Sequence, residues 1–244
     1  MIYTALTGMD AAMSRQRAIA SNLANAQTAG FRSETFSVST FTLKGPSLET
    51  RAIVQGVVKG ANLAAGRVVP TGRDLDIALR GDAFLALQAA DGSEVYSRRG
   101  DLSIGAGGVL ENGDGRPLMG VAGPITVPLG SAVTISEDGR VMAANPAEPD
   151  LPPQEVARIK LVNPNGSRIE KNLDGFFQVP GGGVLPVDEL ARIDVGSLEQ
   201  SNVDTAQTLT EMIEAQRSFD RRSKLFTTAS ELDQAGSRLM SLRS

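Results

Sequence analysis

Residues 2–27, IYTALTGMDAAMSRQRAIASNLANAQ, carry a regular stripe of apolar or small side chains. The steps alternate between four and three residues, which is the 3.5-residue repeat of a coiled coil. The members of this N-terminal stripe are Ile2, Leu6, Met9, Met13, Gln16, Ala20 and Leu23, and Gln16 is its one polar position. We predict a helix over about residues 2–27, ended by Gly30 before Phe31, because glycine readily adopts the left-handed conformation that ends helices.

A second stripe lies at the other end of the chain. From Thr205 to Leu242 there is no proline and only one glycine, Gly236, which favours one uninterrupted helix. Asp204 followed by Gln207 is typical of a helix start, although the capping box prefers Ser or Thr at its first position. The stripe positions of this C-terminal helix are Leu209, Ile213, Gln216, Phe219, Phe226, Leu239 and Met240. Such a helix extends roughly 57 Å, which is long for a compact domain of this size.

The middle of the chain shows the two-residue period of β-strands. Within residues 74–80, leucine and isoleucine alternate with Asp74, Asp76 and Arg80, which predicts a half-buried strand with a solvated charged face. Turn dipeptides recur at Asp91-Gly92, Asn112-Gly113, Asp138-Gly139 and Asn165-Gly166. These patterns predict a central antiparallel β-rich domain.

The predicted fold class is α+β, organised in five segments. They are an N-terminal helix (1–31), an extended linker (32–70), the β-rich domain (71–175), a return linker (176–202) and a C-terminal helix (203–244). Charge divides the chain similarly, because residues 1–30 carry a net charge of +1, residues 203–244 a net charge of zero, and the middle −5. We interpret the ends as association elements and the middle as a soluble body.

Composition excludes most catalytic classes. The 244 residues include no Cys and no His, which removes Ser-His-Asp and Cys-His catalysis, His or Cys zinc sites, and disulfides. The net charge of −4 argues against nonspecific binding to nucleic acid or anionic membranes. No phosphate-binding glycine motif, cleavable signal pattern or membrane-spanning apolar run is present. We predict no catalytic residue, no cofactor and no metal site.

Two further interpretations stay open on the residues alone. The terminal helices could pack as an ordinary amphipathic pair within one fold, and periodicity does not distinguish this from assembly. The carboxylates Asp74, Asp76, Asp101 and Glu111 could serve a carbohydrate-active β-domain enzyme with helical oligomerisation arms. No pattern predicts that these carboxylates are buried, so a solvated polar face is the favoured interpretation.

Both ends of the chain resemble one known family. The motifs IYTALTGM (2–9) and SNLANAQTAGF (21–31), with LEQSNV (198–203) and MIEAQRSF (212–219), resemble the terminal signatures of the flagellar rod, hook and hook-associated family. The middle agrees, with TGRDLDIALRGDAF (71–84), DGSEVYSRRGDL (91–102) and ISEDGRV (135–141). Length and the first motif are most similar to the proximal-rod members, with distal-rod and hook-type proteins as the alternatives.

The resemblance implies a structural function. In this family the two terminal helices form an inner coiled-coil tube layer around the export channel, and the β-rich domain lies outside it. The implied protein is a subunit of the proximal rod, a hollow drive shaft that spans the periplasm in the flagellar basal body and transmits torque. Implied partners are copies of itself, neighbouring proximal- and distal-rod proteins and the flagellar type III export apparatus, which needs no cleaved signal. Binding to nucleic acid and insertion into a membrane are not expected.

The predicted assembly interface combines the two stripes with residues of the terminal motifs. Its members are Ile2, Leu6, Met9, Met13, Asn22, Leu23, Asn25, Gly30, Phe31, Ser201, Asn202, Val203, Leu209, Met212, Ile213, Gln216, Phe219 and Phe226. Contacts between unlike faces that do not close into a ring generate a helical tube. Because ordering the ends without burying them costs entropy, we expect them to fold when they dock.

This expectation predicts unequal protease sensitivity along the isolated chain. Limited proteolysis of the purified monomer should remove roughly the first 30 and last 40 residues before it cuts the β-rich middle, since the ends lack burial in the monomer. Mass spectrometry of the time course measures the order of cleavage. Equal resistance of ends and middle would contradict folding coupled to assembly.

Overall fold

The computed structural model describes residues 2–44, 49–145, 151–172 and 174–241, which form two long helices joined through antiparallel strands. The helices are α1 (Ile2–Ala24) and α2 (Thr205–Ser241). The strands are β1 (Glu34–Lys44), β2 (Glu49–Ala61), β3 (Val68–Pro70), β4 (Ile77–Leu79), β5 (Phe84–Gln88), β6 (Glu94–Ser97), β7 (Ser103–Ile104), β8 (Leu110–Glu111), β9 (Met119–Gly120), β10 (Gly123–Pro124), β11 (Ala132–Ile135), β12 (Arg140–Ala144), β13 (Gln154–Arg158), β14 (Leu161–Val162), β15 (Glu170–Lys171), β16 (Phe177–Gln178), β17 (Ile193–Val195) and β18 (Ser197–Glu199). The predicted α+β class is confirmed.

The chain divides into two compact units, and neither is continuous in sequence. The helical unit contains Met1–Ala26, Glu34–Asn62 and Val203–Ser244. The β unit contains Gln27–Ser33 and Leu63–Asn202. The chain therefore passes between the units four times, and the short segment 27–33 belongs to the β unit although it directly follows the first helix.

The helix ends follow from local chemistry. Helix α1 ends at Ala24, and the chain turns until Gly30, which has a φ of +67°. At the start of α2, one carboxylate oxygen of Asp204 accepts hydrogen bonds from the backbone N–H groups of Ala206 (2.9 Å) and Gln207 (3.0 Å). The Gln207 side chain turns to Glu211 rather than back to Asp204, so Asp204 caps the helix without a reciprocal capping box.

A long hairpin completes the helical unit. Strands β1 and β2 pair from Glu34↔Ala61 to Lys44↔Glu49, with register shifts after Thr35 and before Lys44. The sequence-based description of residues 32–70 as an extended linker did not include this pairing. Both strands are extended, as expected, but they satisfy each other's backbone hydrogen bonds over most of their length.

The β unit is built from small sheets. A five-stranded sheet has the order β14-β5-β6-β16-β15, and a three-stranded sheet has the order β11-β12-β13. The hairpin turns predicted at Gly92 and Gly139 are confirmed, since each glycine has positive φ and joins two paired strands. The Asn165-Gly166 turn instead links β14 and β15, which lie at opposite edges of the five-stranded sheet.

An aliphatic core holds these sheets together. Its fully buried members include Ile77, Leu85, Leu87, Leu102, Leu110, Leu118, Ile125, Ile159 and Ile193. Within the described part of the chain, Phe84 packs against Phe177 with ring centroids 5.2 Å apart in an edge-on arrangement. A protein with 4% aromatic residues therefore builds its core mainly from branched aliphatic side chains.

The last part of the β unit pairs with its first part. Within residues 176–202, described above as a return linker, β17 pairs with β4 and β18 pairs with β3. The register brings Ile193 opposite Leu79 and Leu198 opposite Val69. Each of these two small sheets therefore pairs strands whose residues lie more than a hundred positions apart in the sequence.

The predicted solvated face of residues 74–80 is wrong at Asp76. Asp74 and Arg80 are exposed, but Asp76 is only 2% exposed and β4 is buried along its whole length. The reason is that this segment is covered on both sides. Residues of β17 pair with one edge of β4, while the backbone N–H of Ile77 donates to the carbonyl of Gly100 on the other.

Tyr96 offers a titration test of the β-unit core. The side chain is fully buried, its hydroxyl oxygen accepts a hydrogen bond from the Leu185 N–H (2.7 Å), and burial raises the pKa of Tyr96 to about 12. Because the folded-state pKa lies above the unfolded value, this group stabilises the fold fully below about pH 10. We expect that stabilisation, about 2–3 kcal/mol, to be lost as the pH rises through about 12.

The chain has two tyrosines, so Tyr3→Phe leaves Tyr96 as the one phenol to follow. In this variant, ultraviolet absorbance should give a midpoint near pH 12 for folded protein and about pH 10 in urea. The alkaline loss of unfolding free energy should shrink in Tyr96→Phe. A folded-state midpoint near pH 10 would show that the Tyr96 phenol is accessible to solvent.

Candidate assembly interface

The two terminal helices pack on each other through small residues. Gly8 and Ala11 of α1 are buried, as is Ala215 of α2. The guanidinium of Arg222 donates a hydrogen bond to the carbonyl of Gly8 (2.9 Å), and a Cβ at Gly8 would lie 2.9 Å from the same nitrogen. Small side chains let helix backbones approach closely, so these residues allow the two helices to pack near Gly8.

The N-terminal stripe lies largely on the other face of α1. Leu6 is 40% exposed and Met13 is 36% exposed, whereas Met9 and Leu23 are half-buried. The backbone of Ile2 begins α1, but its side chain lies outside the described residues. The stripe predicted from periodicity is thus separate from the small-residue face that packs on α2.

The same division occurs on α2. Leu209 and Ile213 are 47% and 53% exposed, and Gln216 is also exposed. Three further predicted residues, Met212, Phe219 and Phe226, are half-buried. Exposed large apolar side chains on both helices, lying within one unit of the chain, form the candidate interface.

The asparagines of the N-terminal motif hold the chain's own turns. The Asn22 side chain accepts a hydrogen bond from the Glu34 N–H (2.7 Å) and donates to the Glu34 carbonyl (3.0 Å), which fixes the start of β1 beside α1. Asn25 donates to the carbonyl of Ser21 (2.9 Å) at the helix end. Both were predicted as interface residues, and the structure places them in contacts within the helical unit.

Residues of the N-terminal and C-terminal motifs meet in the β unit. The Gly30 N–H donates to the Glu199 carbonyl (2.7 Å), and the Asn202 N–H donates to the Phe31 carbonyl (3.3 Å). The Asn202 side chain accepts from the Ser33 N–H (2.7 Å). Its neighbours Ser201 and Val203 are half-buried. The two ends of the chain are therefore hydrogen-bonded together where they enter the β unit.

Two glycines permit this close approach. A Cβ at Gly30 would lie 2.3 Å from the carbonyl carbon and oxygen of Arg98, and one at Gly66 would lie 1.8 Å from the carbonyl oxygen of Gln200. Gly30 also has φ +67°, a conformation that other residues adopt only with strain. Beside it, the ammonium of Lys171 lies 3.8 Å from the centre of the Phe31 ring, a favourable cation–π contact.

A buried ion cluster lies beneath these contacts. The Glu199 carboxylate is bound by Arg32 (2.7 Å) on one oxygen and by Arg98 (2.7 Å) on the other, and all three side chains are at most 2% exposed. We call Arg32, Arg98 and Glu199 the junction cluster. No sequence pattern predicted this cluster, although Glu199 and Arg98 fall inside the motifs quoted above, because nothing local indicates that these charged residues are buried.

Additional hydrogen bonds support the cluster, although the Nε–H of Arg32 has no partner. Arg98 donates to the carbonyls of Leu79 (2.8 Å), Gly81 (2.9 Å) and Ala83, while the Gly66 N–H donates to Glu199 (2.7 Å). Burial lowers the pKa of Arg32, and the adjacent Glu199 carboxylate opposes that effect. A buried charge of this kind is tolerated only when its partners are in place.

The carboxylates considered for catalysis differ in their surroundings, and Asp76 is the partner of Asp101 in an isolated antiparallel β-bridge. Asp101 is held by the guanidinium of Arg99 (2.8 Å), which also bonds Asp114, and Asp74 is exposed. Among the described residues, no group of three or more acidic side chains is placed to hold a metal ion. In the same part of the chain, no helix is both long enough and apolar enough to cross a membrane.

Comparisons with known proteins identify the class. Family models match residues 2–32 (flagella basal body rod protein), 78–143 (flagellar hook protein FlgE/F/G D1 domain) and 195–239 (flagellar basal body rod FlgEFG protein C-terminal). The first and third of these segments contain the helices and the terminal motifs.

Curated relatives cover nearly the whole chain. The flagellar basal-body rod protein FlgF of Salmonella typhimurium is 39% identical over 99% of this chain and 98% of its own length, and that of Escherichia coli is 37% identical with the same coverage. FlgG of Agrobacterium fabrum is 31% identical over 93% of this chain and 94% of its length. The chain belongs to the flagellar basal-body rod proteins, in the FlgF type of that family. The prediction of a structural rod protein that associates with other rod proteins in the flagellum, and not an enzyme, is confirmed.

Gly30 provides a test of the close approach at the junction. Gly30→Ala adds both left-handed strain and a backbone clash, whereas Gly72→Ala adds strain at nearly the same φ (+75°) with nothing within 4 Å of the new Cβ. We expect Gly72→Ala to lower the unfolding free energy by about 1–2 kcal/mol and Gly30→Ala to lower it clearly more. Urea unfolding of both variants measures the difference. Equal losses would mean that the Arg98 carbonyl does not restrict residue 30.

Proposed function

We propose that this chain polymerises, through the outward faces of α1 and α2, into the hollow proximal rod of the flagellum. The observation that supports the proposal is that small residues of the helices are buried, whereas several larger apolar residues are exposed. Gly8, Ala11 and Ala215 make the contact within the chain, and the larger residues Leu6 and Ile213 are left exposed. In this arrangement the two helices contact each other within the chain and still present apolar surface to a neighbour.

Burial supplies the driving force for this assembly. Covering a side chain of the size of leucine or isoleucine is typically worth about 1.5–3 kcal/mol relative to full exposure. Leu6, Met13, Leu209, Ile213 and Leu225 each expose more than a third of their surface. Because these residues lie on two different helices, each subunit can make unlike contacts on two sides, which produces an open helical tube rather than a closed ring.

The predicted interface divides into two groups under this proposal. The stripe residues, such as Leu209 and Met13, contact neighbouring subunits. The motif residues Asn22, Gly30 and Asn202 do not contact a neighbour under this proposal. They hold in place the chain segments that follow α1 and precede α2. The tube layer is formed by the helices, and the β unit contributes the outer body of the rod.

Assembly in the rod implies a route and a set of partners. The chain leaves the cytoplasm through the flagellar type III export apparatus without a cleaved signal and joins a rod that spans the periplasm. Its neighbours are further copies and homologous proximal- and distal-rod proteins. Its role is mechanical, since the rod surrounds the export channel and transmits torque.

Ile213→Asp tests the proposal without disturbing the monomer. Ile213 is more than half exposed in the isolated chain, so the substitution should leave its stability nearly unchanged. In an assembled tube, however, it would place an unpaired charge in a packed layer. We expect secreted protein, basal bodies that stop before the distal rod, and cells that do not swim.

Gln207→Asp is the matched control, because it adds one negative charge at an exposed position on a different face of the same helix. It should assemble and support swimming normally. Electron microscopy of isolated basal bodies and a swimming assay measure the outcomes. Complete rods and normal swimming in the Ile213→Asp strain would refute the helix-mediated tube.

A further inference from the structure

The junction cluster includes residues that lie close in sequence to connections between the two units. The chain passes between the units after residues 26, 33, 62 and 202. Arg32 lies in the segment 27–33 between the first two of these passages, close to the second, and Glu199 lies just before the last. The Asn202 side chain donates to the Ala64 carbonyl (2.8 Å), and Arg32 donates to the same carbonyl, which lies beside the third.

The cluster also reaches the interior of the β unit. Glu199 accepts from the Gly66 N–H and binds both arginines, while Arg98 donates to the carbonyls of Leu79 and Gly81. These carbonyls belong to the end of β4 and the turn that follows it. Hydrogen bonds that are charge-assisted at the cluster and neutral at Asn202 therefore join residues 30–33, 64–66 and 199–202 to the central strands.

Its geometry differs from that of an ordinary stabilising contact. Burying hydrophobic side chains in these positions could give similar stability, because replacing buried ion pairs by apolar residues is often neutral or favourable. Apolar contacts, however, have no direction and slide at little cost, whereas two guanidinium groups on one carboxylate fix both distance and angle. The two close-contact glycines, Gly30 and Gly66, keep the connecting backbones within reach of the cluster.

We propose that Arg32, Arg98 and Glu199 are the mechanical anchor of this rod protein, the point at which force carried by the terminal segments enters the β unit. These are positioning residues, because they hold the connecting segments and do not themselves contact a neighbouring subunit. The proposal rests on the proposed function only in naming torque as the load. The anchor itself is a property of the single chain.

Force spectroscopy on single purified chains tests the anchor. The protein has no natural cysteine, so Ala24→Cys at the end of α1 and Val121→Cys at an exposed site of the β unit provide two specific handles. Pulling between them loads residues 27–33 and hence the cluster. Glu199→Gln should lower the rupture force by about half or more, since charge-assisted hydrogen bonds are roughly twice as strong as neutral ones.

Leu110→Ala is the matched control. Leu110 is fully buried in the core of the same unit, and it forms none of the hydrogen bonds or ion pairs described above for the cluster. For Leu110→Ala, both the loss of unfolding free energy in urea and the rupture force are measured. Their ratio shows how far a general weakening of the β unit lowers the rupture force. A rupture force in Glu199→Gln that falls only in proportion to its own loss of stability overturns the proposal.

Arg32→Lys covers the case in which Glu199→Gln does not fold. Lysine keeps the positive charge beside Glu199 but lacks the planar fork that reaches both Glu199 and the Ala64 carbonyl. We expect an intermediate loss of rupture force with a cooperative urea transition, and an unchanged rupture force overturns the anchor. Because pulling needs no assembled rod, neither result depends on whether Ile213→Asp blocks assembly.

Discussion

One carboxylate held between two guanidinium groups constrains most of this structure. Glu199, Arg32 and Arg98 are buried together, and a buried carboxylate left without its partners costs several kcal/mol. The fold must therefore bring three distant parts of the chain to one point with correct geometry. The positive φ of Gly30, the close contact at Gly66 and the pairing of β18 with β3 all serve that requirement. Segment 27–33 belongs to the β unit for the same reason.

The terminal motifs contain two groups of residues that the sequence alone does not distinguish. Part of each motif, including Asn22 and Asn202, forms hydrogen bonds within the chain. Another part, including Leu6 and Ile213, has no comparable burial within the chain. Motif resemblance identifies both as belonging to the rod family, but only the structure separates residues that form contacts within the chain from large apolar residues that stay exposed on it.

Local patterns predicted the helices well and the strands partly. The start of α2 after Asp204 and the turns at Gly92 and Gly139 follow from capping and turn chemistry within a few residues. Strands of two or three residues, such as β17, have no period to detect, and their existence depends on partners far away in sequence. The burial of Asp76 and of the junction cluster was missed for the same reason, since charged residues in a polar pattern give no local sign of being covered.

The pairing of β17 with β4 and β18 with β3 has a consequence for a chain that moves as a thread. Neither pair can form until residues near 70 and residues near 195 are free at the same time. A chain still entering or leaving a narrow passage from either end lacks one partner of each pair, and contacts between such distant residues form slowly even in a free chain. The topology thus delays closure of these two sheets until both segments are available, so a chain exported by the proposed route would carry an unclosed β unit until residues 68–199 had all cleared the passage.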